Sequence, residues 1–145
     1  MGIATNYESD YYGWTQEQAA LLRAGKLDQV DMSHLIEEVE NMGASERREL
    51  LSRLGILLGH LLKWQYQPEF RGQSWIRTIR EQRRMIQLHL KQNPSLKAKV
   101  TEFIIDGYAL GRGLASDETG FPESTFPADC PWGFDQLLEL DFWPE

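Results

Sequence analysis

A chain of 145 residues with a net charge of −7 and a single cysteine, Cys130, can bury a core of its own but cannot build a disulfide framework or a multi-cysteine zinc site. Its first residues, MGIATNYESDYYG, lack the basic and apolar regions of a signal peptide. The longest apolar run, Ile56 to Leu62, is interrupted by Gly59 and His60 and falls short of the roughly 20 residues of a membrane span. A soluble, all-α, single-domain protein of the reducing cytoplasm is expected, with helices over residues 7–120 and a docked strap over 121–145.

In chain order, Asp10 is placed to cap a first helix, YYGWTQEQAALLRAG, that ends with Gly25 just past its last turn. Thr15 with Gln18 is an alternative capping box. Asp31 or Asp28 then caps a second helix, MSHLIEEVENM, closed by Gly43. Met32, Leu35, Ile36, Val39 and Met42 share one arc of it, Glu38 and Glu40 flank that arc, and Glu37 points away. Ser45 caps a third helix that runs to about Gln65, ahead of Pro68. Leucines cover nearly half of its circumference, and Gly55 and Gly59 lie one turn apart beside them.

Ser74 caps the predicted fourth helix, WIRTIREQRRMIQLHLKQN, which Asn93-Pro94 stops. A fifth, from Pro94 to about Glu118, carries Leu96, Val100, Phe103, Leu110 and Leu114 on one face, with Gly107 and Gly111 alongside. Glycine inside a helix costs about 0.5–1 kcal/mol relative to alanine. Two such pairs, each at i and i+4, predict a close crossing of the third and fifth helices. The prolines at 122, 127, 131 and 144 leave room in the tail for one short helical turn, around Phe134 to Leu140. Six large aromatic side chains in that tail predict a strap pinned across the bundle.

Charge is partitioned along the chain: residues 1–49 carry −6, residues 50–100 carry +8, and residues 101–145 carry −9. Acidic ends folded over a basic middle would neutralise it. A domain-wide basic surplus, the usual footprint of a nucleic-acid binder, is not present.

The segments HLIEEVENMG, SERREL, LLGHLLKWQYQP, SWIRTIREQRR and FPADCPWGFDQLLELDFWPE resemble a bacterial family, known chiefly from cyanobacteria, that is catalogued as domain of unknown function twenty-nine. The resemblance runs from Tyr7 onward. It implies an all-helical cytoplasmic domain and brings no activity with it.

His34 with Glu37 and Glu38, and His60 on the third helix, hint at a metal, since helical bundles build such sites from inward-facing Glu and Glu-x-x-His motifs. But Glu37 points off the apolar stripe and His60 has no carboxylate one turn away, so a hydrogen-bonded structural histidine is the better reading of each. Arg83 falls inside the apolar arc of the fourth helix. A guanidinium there needs a partner, and Glu38, then Glu40 and Asp106, are the expected carboxylates; an anion site is the alternative. Arg77, Arg80, Arg84 and Lys91 form a separate basic strip. Cys130, among acids and without a histidine nearby in sequence, is a poor nucleophile. No catalytic residue, metal or cofactor is expected. A non-enzymatic module that binds another protein, or a second copy of itself as a homodimer, is the leading expectation, and a nucleic-acid-associated protein using the basic strip is the alternative.

Overall fold

The structure, a computed structural model, describes residues 6–145. It is all-α, with no strand among the described residues. Five α-helices follow one another: α1 (Tyr11–Arg23), α2 (Met32–Tyr66), α3 (Gln73–Gln92), α4 (Val100–Thr119) and α5 (Phe134–Leu138). Short 3-10 turns cover Pro68–Phe70, Pro94–Lys99 and Glu123–Thr125.

Helix α1 begins where its sequence says it should. The Asp10 carboxylate accepts the Gly13 N–H at 3.0 Å, satisfying one of the free donors of the first turn. The helix stops because Gly25 takes φ +72°, a left-handed conformation that glycine adopts without steric cost. At the start of α2, Asp31 and not Asp28 receives the His34 N–H, at 3.4 Å.

The expected break at Gly43 is overturned. The predicted second and third helices are one helix of 35 residues. A glycine weakens a helix but ends it only in a left-handed turn, and only Gly25 and Gly120 among the described residues have positive φ. No proline follows to stop the helix until Pro68. Ser45 is therefore interior to α2 and caps nothing. Likewise Gly72, not Ser74, is the cap of α3, and the first turns of the predicted fifth helix are 3-10, with α4 proper starting at Val100.

The chain divides into two compact units, one ending at Ala44 and the other spanning Ser45–Glu145. In the N-terminal unit Trp14 and Gln18 are the buried side chains. The Trp14 indole donates to Asp31 at 3.0 Å, and the Gln18 amide oxygen accepts the Asp31 N–H at 2.6 Å.

In the C-terminal unit six leucines of α2 between Leu50 and Leu62 are fully buried, each contributing roughly 1.5–3 kcal/mol. They pack with Ile79 and Ile86 of α3, Phe103 of α4, and Phe126 and Leu137 of the tail. The predicted glycine crossing is present. A Cβ at Gly111 would lie 2.8 Å from the Gly59 nitrogen and 2.9 Å from the Leu58 Cβ, so α2 and α4 meet backbone to backbone. The strap is docked as expected: Phe126 meets Tyr66 edge-on at 5.0 Å, Trp143 lies 4.6 Å from Trp64, and the Tyr108 hydroxyl donates to the Pro127 carbonyl at 2.6 Å.

Candidate functional sites

In the N-terminal unit, the arc predicted to be the core face of the second helix is largely in water. Met32, Ile36, Val39 and Met42 are 52, 51, 65 and 67% exposed. Beside that arc, on its Glu38 flank, lies a polar and aromatic cluster. Tyr7 stacks on His34 with centroids 4.0 Å apart and meets Trp14 edge-on at 4.7 Å. Tyr7 and Tyr11 both donate their hydroxyls to Glu38. This holds the Glu38 carboxyl below its ordinary range, while the Glu38 hydrogen bond pushes Tyr7 up to about 12. The His34 imidazole pairs with Asp31 at 2.6 Å, which raises the histidine pKa and lowers that of the aspartate. His34 is thus engaged by Asp31, and Glu38 by two phenols, an arrangement that matches the structural reading.

In the C-terminal unit Arg83 is fully buried, as its place on the α3 arc requires. The expected carboxylate partner is not there. Its Nε donates to the Leu137 carbonyl and one terminal nitrogen to the Phe142 carbonyl, each at 2.7 Å. The guanidinium lies 5.8 and 5.5 Å from the Phe142 and Trp143 ring centres. Burial pushes its pKa down to about 10, with Glu139 pulling the other way. Arginine's fork suits two separate acceptors in a way that a single ammonium does not. The other terminal nitrogen is buried beneath the strap without a hydrogen-bond partner.

His60 donates Nδ1–H to the Ile56 carbonyl at 2.9 Å, and burial lowers its pKa. It is the satisfied structural histidine that its position suggested. The third histidine, His89, was not singled out by its sequence. It is 4% exposed and faces two glutamates of α2, Glu46 and Glu49. A phase signal existed: His89 lies one turn past Ile86, at the edge of the same buried face.

Arg77, Arg80 and Arg84 are exposed and line a shallow groove on α3 together with Glu81. A cavity of about 590 Å³ is bounded by Ile104, Ile105, Tyr108, Arg112, Cys130 and Phe134 among others. Three of the polar side chains at its wall are engaged within the chain. Tyr108 donates to Pro127, Arg112 donates to the Glu123 and Phe126 carbonyls, and the Cys130 thiol reaches the Trp132 carbonyl. Burial raises the Cys130 pKa, the direction expected of an inert thiol, although burial and not acidic neighbours is the main cause. No helix among the described residues is long and apolar enough to cross a membrane.

These features define an all-α chain. It belongs to the family described as domain of unknown function DUF29, whose model matches residues 6–143. No curated protein and no solved structure matches the chain.

Proposed function

We propose that this protein is a non-enzymatic, cytoplasmic interaction module that docks another protein on the exposed apolar stripe of α2. The observation that carries this reading is the stripe itself: four large apolar side chains, each more than half exposed, on one helix face. Such a face in water is costly, and grouped apolar exposure marks interaction sites. Helix-in-groove recognition uses anchors at this spacing.

The charge pattern favours a partner of complementary charge. Residues 6–44 hold eight carboxylates against Arg23 and Lys26, and Glu40 borders the stripe. Two copies joined through this face would oppose acid to acid. The complementary occupant is an amphipathic helix of a different protein, apolar on one side and edged with lysine or arginine.

Two labelled designed helices test this, one with leucines edged by lysines and one with the same leucines edged by glutamates. Fluorescence anisotropy with the intact protein is expected to show binding of the lysine peptide only, weakened by salt and abolished in Val39→Asp/Met42→Asp. Binding of neither peptide, or binding that survives the substitutions, would overturn the proposal. Sedimentation giving a dimer that Val39→Asp dissociates would overturn it in favour of a second copy as the occupant. The nucleic-acid reading relies instead on Arg77, Arg80 and Arg84. It requires salt-sensitive binding to DNA or RNA that is lost on reversing those three charges, and Glu81 in the same groove works against it.

A further inference from the structure

We propose that Glu46, Glu49 and His89 form a binding site for a divalent transition-metal ion of the zinc class, held by one imidazole nitrogen and two carboxylate oxygens. Glu46 and Glu49 stand three residues apart on α2 and so share a helix face. His89, in the last turn of α3, points at both. Ligand atoms of the three residues all lie within 4.8 Å of one another.

The hydrogen-bond geometry of His89 carries the argument. Its Nε2 lies 2.8 Å from the backbone carbonyl oxygen of Glu46. A carbonyl can only accept, so Nε2 bears the hydrogen, and in the neutral ring Nδ1 is a bare lone pair. That lone pair faces the Glu49 Oε2 at 3.4 Å. An ionised carboxylate is also an acceptor only, so two acceptors confront each other beside the buried ring. A cation shared between the two atoms resolves the conflict.

The geometry suits the ion. Tying one ring nitrogen to a backbone carbonyl is how metal-binding histidines are oriented and fixed in one tautomer. For a tetrahedral ion with bonds of about 2.0–2.1 Å, neighbouring ligand atoms sit about 3.4 Å apart, and the Nδ1 to Oε2 distance is 3.4 Å. Glu46 Oε2 is 3.5 Å from the hydrogen-bearing Nε2, so Glu46 has to turn toward Nδ1 to reach the ion. Glu46 and Glu49 side chains are 47 and 43% exposed, free to rotate inward and open to entry from solvent.

The neighbouring charge is Arg53, whose Nε donates to the other Glu49 oxygen at 3.2 Å while its terminal nitrogen reaches Gln82. It orients Glu49 with Oε2 toward the histidine. Its positive charge also limits affinity. An imidazole ligand favours zinc, cobalt or nickel over calcium or magnesium, which prefer oxygen donors throughout.

The test uses the intact protein with Zn²⁺ by calorimetry and Co²⁺ by visible absorption. The expected result is one Zn²⁺ per chain and a Co²⁺ absorption band that saturates at the same stoichiometry. Glu49→Gln lies at the surface and keeps the fold, which its circular-dichroism melt checks; it should weaken binding about 100-fold. His34→Asn, away from the site, should leave binding unchanged. Absence of Zn²⁺ binding would overturn the proposal, leaving the cluster as an ion pair. Equal binding by wild type and Glu49→Gln would overturn it as well.

Discussion

The two units of the chain are held together by different physics. Residues 6–44 bury one aromatic ring, Trp14, and tie it in with phenol, imidazole and carboxylate groups: Tyr7, Tyr11, Asp31, His34 and Glu38. Ser45–Glu145 buries a continuous leucine core, brings two helices into backbone contact at glycines, and pins its tail to a buried guanidinium. Burial of apolar area does not respond to pH, whereas a cluster of titratable hydrogen bonds does. One unit should therefore fail by packing defects and the other by protonation.

The largest expected effect comes from removing residues 125–145, which strips Phe126 and Leu137 from the core along with both acceptors of Arg83. Each lost apolar side chain is worth roughly 1.5–3 kcal/mol, and the cooperative melt followed by circular dichroism should fall sharply or vanish. A truncated chain that melts like the intact one would break the comparison at its strongest point. Arg83→Ala comes next, at about 3–5 kcal/mol for two charge-assisted hydrogen bonds. Because Arg83 strands no carboxylate, Arg83→Met should recover volume but still leave two buried carbonyls without donors, and should remain destabilising. Arg84→Ala, exposed one residue along, should stay within about 0.5 kcal/mol in urea titrations.

Gly111→Ala should cost about 1–3 kcal/mol, since the new methyl meets main chain of α2 that cannot move aside. Gly43→Ala, around which nothing lies within 4 Å, should instead stabilise α2 by about 0.5–1 kcal/mol. Opposite signs for two helix-interior glycines in the same denaturation series would show that contact, not propensity, decides.

The smallest effect is electrostatic and belongs to the N-terminal unit. His34 has a raised pKa in the folded chain, so its contribution is complete below its unfolded value, about 6.5, and is lost as pH climbs through the raised value. Asp31 and Glu38 are lowered, so theirs is present above about 4 and lost on acidification. Tyr7 is raised to about 12, so its share is kept to about pH 10 and disappears above it. The Trp14 indole proton, followed by NMR from pH 4 to pH 9, should be best protected near pH 4–6.5. Protection flat across that range would remove the titratable account of this unit.

How much of this was legible follows the same division. The glycine pairs announced the α2–α4 crossing because close approach is the one reason to keep two glycines a turn apart on an apolar helix. The aromatic tail announced its docking by sheer area. The phase of Arg83 revealed its burial, but its partners are main-chain carbonyls of the tail, and every residue has one, so no side-chain pattern could name them. Gly43 misled because it resembles a helix stop, and the stripe from Met32 to Met42 misled because periodicity gives the face of a helix without saying what covers it. Glu46, Glu49 and His89 escaped notice because they are brought together from different helices, 40 and more residues apart.

The bonds from Arg83 to Leu137 and Phe142 span 54 and 59 residues of chain, and this has a consequence during synthesis. At about 5–20 residues per second, α3 exists for roughly 3 to 12 s before both carbonyls that accept from its innermost cation have been made. Through that interval the guanidinium must stay hydrated, which keeps the seat of the strap open and wet on the ribosome. Slow codons between residues 84 and 142 would lengthen that exposed period.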